Sequence, residues 1–190
     1  GIDKDIKSMA SANVENKVLK EQIDNLEKQN TKDKEIIQEK VKKAEFSEDQ
    51  LKVALKQEIG QGLAEVQREK DRVVVTVGSA GAFNSGSARL TRQARAIMQK
   101  IAKVSGKGAG QVNVSGHTDN VPLIFGGQYR DNWDLAAARA SSVVQELAKA
   151  NTIPPEKLQA ISFGETKPIE QNDTRDGREK NRRIEIEIKY

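Results

Sequence analysis

Across residues 1–70 apolar side chains are sparse, spaced for a helix, and uninterrupted by proline. Leu19, Ile23 and Leu26 follow the four-three spacing of a coiled-coil seam, which then runs through Asn30 and Asp33 before reaching Ile37. So thin a stripe predicts a marginal helix or spacer rather than a long firm coiled coil. Ser47-Glu48-Asp49-Gln50 has the form of a capping box and predicts a second helix. That helix carries Leu51, Leu55, Ile59 and Leu63 on one face and is loosened by Gly60 and Gly62.

From residue 71 the pattern changes to alternating strand and helix signals. The β-branched run RVVVTV (72–77) predicts a strand. SARLTRQARAIMQKIAKV (87–104) aligns Leu90, Ala94, Ile97, Met98 and Ile101 along one helical stripe. QVNVSG (111–116) predicts a short strand, and WDLAAARASSVVQELAKA (133–150) a helix with Asn132 or Asp131 as its cap. LQAISFG (158–164) follows Pro154-Pro155 as another strand. RIEIEIKY (183–190) alternates strictly, with Ile184, Ile186 and Ile188 on one face. The expected fold is an α+β two-layer sandwich over 71–190, helices on one side of a mostly four-stranded sheet, preceded by a helical linker over 1–70.

Composition narrows the function classes. Charged residues make up 32% and aromatics 4% of 190 residues, and no run of 18 apolar residues exists to span a membrane. GIDKDIKSMA lacks the apolar stretch of a signal peptide, so any exporting or anchoring segment is expected outside this sequence. The absence of cysteine excludes disulfides, and a single histidine makes a structural zinc site untenable. Residues 1–70 hold 14 Lys/Arg against 15 Asp/Glu, and residues 71–190 hold 18 against 13. That mild basic bias is too diffuse for a nucleic-acid footprint.

The candidate chemistry lies in SGHTDNVPL (115–123), which holds the one histidine. His117 and Asp119 lack a nucleophile: there is no cysteine and no Gly-x-Ser-x-Gly elbow, and Ser115 reads as a turn residue. Neither catalysis nor a metal site is expected. Asp119 instead follows a strand's C-terminal end, where α/β sheets present ligand-contacting residues. The helix beginning near Asn132 offers its N-terminal amides to an anion and carries Arg139 one turn beyond Leu135. Asp119 and Arg139 can either pair with each other or split across a zwitterion, the Asp taking an ammonium and the Arg a carboxylate.

The blocks VSGHTDN, NWDLAAARASSVVQEL, ISFGETKPI and NRRIEIEI, with FNSGSARL before them, resemble the OmpA-like peptidoglycan-binding domain over residues 72–190. More narrowly, GHTDNVP, a long loop and NWDLAAARA resemble the flagellar motor stator B subunits, the MotB/PomB family. The resemblance implies that Asp119 and Arg139 grip diaminopimelate of the peptidoglycan stem peptide, with Thr118, Asn132 and Leu135 lining the groove. Arg182 or Arg183 then touches the glycan or closes the fold, and His117 is a structural loop residue. It further implies a noncovalent wall anchor without a cofactor, in the periplasmic part of a single-pass inner-membrane protein. Its partners would be an A-type stator channel subunit and a second copy, with no nucleic acid. An anchor of another envelope or secretion assembly is the alternative. Ser162-Phe163-Gly164-Glu165 departs from the family's Gly-Tyr-Gly-Glu, and the apolar 121–131 connection is either a contact surface or a fold over the groove.

Overall fold

The computed structural model describes residues 1–106 and 108–190. The chain divides into two compact units, residues 1–40 and 41–190. Helix α1 runs over Ile2–Ala54, and in the first unit every residue is exposed. Among the described residues no helix is long and apolar enough to cross a membrane.

Within residues 41–190, the rest of α1 is followed by α2 (Lys56–Gly60), β1 (Ala64–Glu69), β2 (Arg72–Gly78), α3 (Ser79–Ala82) and α4 (Arg92–Ser105). Next come β3 (Gln111–His117), α5 (Asn132–Lys149), β4 (Leu158–Gly164), α6 (Arg175–Asn181) and β5 (Arg183–Lys189). The sheet order is β1-β2-β5-β3-β4, with β3 and β4 parallel and every other neighbouring pair antiparallel. Alternation in the strands turns Val73, Val75, Val77, Val112, Val114, Ile184, Ile186 and Ile188 to one face. There they share a core with Leu51 and Leu55, with Ile97, Met98 and Ile101 of α4, and with Val143 and Leu147 of α5. Each fully buried aliphatic side chain contributes about 1.5–3 kcal/mol.

Two elements differ from the sequence expectation. Ser47 opens no helix: α1 passes through it without a break, and its buried hydroxyl accepts the Tyr190 phenol. A capping residue must leave helical dihedrals, and nothing in the Lys-Lys-Ala-Glu-Phe before it forces the chain to do so. Helix also fails to extend to residue 70. Gly62 at φ 72° ends that stretch, and Ala64–Glu69 becomes a fifth, edge strand with Ala64 and Val66 turned inward.

The topology fixes where a site can form. β2 and β3 both run antiparallel to β5, so their C-terminal ends lie at the same edge, with Gly78 and His117 both opposite Arg183. Ser79, Thr118 and Arg182 therefore converge there.

Candidate functional site

Helix α5 reaches this edge because Gly116 has no side chain. A Cβ on Gly116 would lie 2.3 Å from the Ala136 carbonyl oxygen, so helix backbone rests directly on β3. Asp131 caps α5 by accepting the Asp134 amide at 2.9 Å. Asn132 then clamps the loop after β3, its Nδ2 donating to the carbonyls of Asp119 (3.3 Å) and Val121 (3.1 Å). It also reaches the Glu165 carboxylate at 3.4 Å. The Thr118 amide donates to the Gly164 carbonyl at 2.8 Å, joining the loop to the end of β4.

A cavity of about 520 Å³ opens between these elements. Thr118, Asp119, Asn132, Leu135, Arg139 and Arg182 line it, and Phe83, Ser85 and Gly86 face them from the segment before α4. Val121, Pro122 and Leu123 form a further wall. The tip beyond that wall is open, with Ile124 and Phe125 exposed to solvent.

The two opposed charges do not pair with each other. Asp119 is buried; its Oδ2 accepts from Nη1 of Arg182 at 2.5 Å and its Oδ1 from the Val121 amide at 3.0 Å. Arg139 is 6% exposed, donates Nε–H to the Ser87 carbonyl at 2.9 Å and lies 4.9 Å from the Phe83 ring centroid. Among the described residues no carboxylate lies within ion-pair distance of it. Burial, the largest influence, lowers the pKa of its guanidinium, yet an arginine stays charged at neutral pH. The result is a desolvated cation at a cavity wall, stacked on an aromatic face and lacking a counter-ion. Its terminal nitrogens keep the planar fork that fits a carboxylate.

Five of the six expected site residues, Thr118, Asp119, Asn132, Leu135 and Arg139, therefore share one cavity. Arg183 is not among them. It is buried and donates to the carbonyls of Asn181 and Lys167, both at 3.1 Å, and to Glu185 at 3.2 Å. Strand parity explains the difference. Arg183 shares the face of Glu185 and Glu187, which leaves the residue just before β5, Arg182, to reach the cavity. The same parity was readable in RRIEIEI.

His117 lies beside the cavity wall and does not line it. Its ring stacks on Phe163 at 5.3 Å, and its Nε2 faces both Ser115 Oγ and Glu185 Oε2 at 3.2 Å. A Ser-His-acid relay needs its hydroxyl and carboxylate on different ring nitrogens, so this trio does not form one. The hydrogen bond from His117, with Arg183 adding and burial opposing, holds Glu185 down at about 2. Among the described residues no group of three potential metal ligands assembles.

Comparison with known proteins adds a family, one curated relative and three solved structures. The model of the OmpA family matches residues 82–182. Motility protein B of Helicobacter pylori is 33% identical over 129 residues, 67% of this chain and 49% of that protein. The crystal structure of the periplasmic domain of Helicobacter pylori MotB superposes with a TM-score of 0.59 at 29% identity, covering 66% of this chain and 87% of the other. The cell wall anchor of the type VI secretion system from Pseudomonas aeruginosa gives a TM-score of 0.67 at 33% identity, covering 73% and 96%. A MotB-like protein from Desulfovibrio vulgaris has the same fold, with a TM-score of 0.74 at 21% identity over 81% and 95% of the two chains. The chain spans about half the length of the curated relatives it matches.

Proposed function

The chain belongs to the OmpA family, and from that premise we propose that residues 71–190 anchor it noncovalently to peptidoglycan by gripping the zwitterionic end of diaminopimelate in the stem peptide. Arg139 takes the carboxylate through its free fork, Asp119 takes the ammonium, and Thr118, Asn132 and Leu135 line the groove between them. One observation carries the assignment: a buried arginine without a counter-ion, across a cavity from a buried aspartate. A carboxylate supplies the missing charge without new desolvation of the arginine. Arg182, already on Asp119, holds that carboxylate in position and shares it with the incoming ammonium. No bond is made or broken in this scheme, so purified sacculi incubated with the chain are expected to release no soluble muropeptides.

The expected result is that Asp119→Asn and Arg139→Ala each weaken binding roughly 10- to 150-fold, the loss of one charge-assisted contact. Sedimentation with purified sacculi measures it, with circular dichroism as the folding control. Wild-type retention of both folded variants overturns the assignment.

Beyond the domain, the motility relatives support a stator anchor. In that reading residues 1–40 belong to the periplasmic linker of a single-pass inner-membrane protein, while residues 41–70, expected as linker, pack with the rest of the domain. The whole protein works with an A-type channel subunit and a second copy, and this domain gives the ion-driven complex its fixed point on the wall. A secretion-system anchor is the second reading, favoured by the likeness to the Pseudomonas aeruginosa wall anchor. Deleting the gene separates them: loss of swimming supports the stator, and loss of contact-dependent secretion with swimming intact supports the other.

A further inference from the structure

Trp133 is the chain's only tryptophan, and it is 51% exposed. An indole is a large apolar surface, so leaving half of it in water forgoes burial that would stabilise the fold. The ring is nevertheless held from behind. A Cβ on Gly164 would lie 3.2, 3.4 and 3.5 Å from the Cδ2, Cε3 and Cε2 carbons of the indole. Three adjacent ring carbons at nearly equal distances set that point above the plane of the ring, so one indole face rests on the Gly164 backbone. Ser162 Oγ donates to the Trp133 carbonyl at 2.8 Å and ties the start of α5 to β4. Among the described residues no aromatic ring or cation stacks on the other face. This fixed plate stands on the rim of the cavity. Trp133 follows Asn132, which lines it, and the Gly164 carbonyl holds the amide of Thr118, which also lines it.

We infer that Trp133 is a stacking platform for a pyranose ring of the wall's glycan strand, a contact additional to the grip on the stem peptide. The face of an aromatic ring carries the negative part of its quadrupole. A pyranose presents on one side a patch of C–H bonds that is flat, weakly positive and free of hydroxyls, which matches that face in shape and charge. Position supports the same occupant. Two amino acids separate diaminopimelate from the muramic acid sugar, an extended reach of about 7 Å. Trp133 precedes Arg139 by six residues, about 9 Å along the axis of α5. The lactyl group that joins peptide to sugar adds the remaining length, so a stem held by Arg139 brings its own sugar to the indole. A ring already fixed by Gly164 loses little freedom on binding, so a small contact area suffices. The inference rests on the wall-anchor reading and adds the sugar to what the site recognises.

Because the chain has one tryptophan, its fluorescence reports this ring alone. The probes are the tripeptide L-alanyl-γ-D-glutamyl-diaminopimelate, free and carried on the N-acetylglucosaminyl-N-acetylmuramic acid disaccharide. By calorimetry the full 190-residue chain binds the disaccharide form about 10-fold more tightly. Its emission shifts to shorter wavelength with that form only. Trp133→Leu keeps an apolar side chain over Gly164 but has no aromatic face; it abolishes the difference and leaves affinity for the free tripeptide unchanged. Trp133→Phe retains part of the difference, and Asp119→Asn weakens both probes alike. Equal affinities of the unsubstituted chain for the two probes overturn the inference, as does emission indifferent to the sugar. So does a Trp133→Leu chain that keeps the full difference; if that chain also fails to support swimming or secretion in the cell, the indole serves a protein partner instead. The two readings fail separately. A free tripeptide that binds with no gain from the sugar sinks only the platform, whereas no binding of either probe sinks the wall-anchor reading and the platform with it.

Discussion

At Gly116 a single hydrogen decides how closely α5 lies on β3. An alanine methyl there meets the Ala136 carbonyl at 2.3 Å, so the helix must shift, and with it Arg139 relative to Asp119. Gly116→Ala is expected to cost about 1–3 kcal/mol in denaturant unfolding and to weaken sacculus binding. Gly78→Ala, where a methyl meets nothing within 4 Å, serves as the tolerated control. Glu185 gives a residue-scale prediction in pH. Its pKa falls on folding from 4.5 to about 2, first through the hydrogen bond from His117. A carboxylate depressed in this way contributes stability that is complete above its unfolded value and is lost as pH falls toward its folded one. Thermal melts should show wild type losing stability between pH 4.5 and 2 more steeply than Glu185→Gln, and parallel curves would refute the role. Asp119 and Arg139 were legible as candidates because one follows the end of a strand and the other rides the next helix. Phe83 under the guanidinium and the Ser87 carbonyl beside it were not, because both arrive from more than 50 residues away.

The connection between β4 and β5 shows how one side chain organises an element. Asn181, fully buried, accepts the amides of Ile169 (2.8 Å) and Glu170 (2.9 Å) and donates to Glu170 O and Asn172 Oδ1. Asn181→Ala strands two backbone amides, costs about 2–4 kcal/mol, and loosens Arg182 at the cavity. Chemical denaturation and sacculus binding should fall together. Strictly alternating β5 was readable from its isoleucines alone, as was the amphipathic face of α4. Edge strand β1 was not. Ala-Glu-Val-Gln-Arg-Glu is built from helix formers with two apolar positions, and only pairing with β2 decides its state. Asp131 as a cap was legible from local chemistry, whereas the helix expected over 87–104 begins only at Arg92, capped by Thr91, and the Ser47 signal misled because a cap acts only where a helix has reason to start.

For the molecule as a whole, the division at residues 40 and 41 predicts separable behaviour. Removing residues 1–40 should leave the thermal transition of 41–190 and its affinity for a soluble stem peptide unchanged. Retention on intact sacculi should likewise be unchanged, because every residue lining the cavity belongs to the part that remains. A cut at 45 would also remove Ala44 from the core and destabilise what remains. Ala64, where the chain enters the sheet, stands opposite Val77, which in turn stands opposite Ile184, one residue from the Gly78–Arg183 pairing beside the cavity. Entry point and cavity thus lie at the same edge, two strand spacings of about 4.8 Å apart in the pairing direction. Traction applied through α1, by contrast, reaches residues 41–190 where Ser47 is bonded to Tyr190, just past the end of β5 opposite the cavity. Against a ligand held beside Arg182, that pull runs along β5 from one end to the other, so the sheet is loaded along its strands.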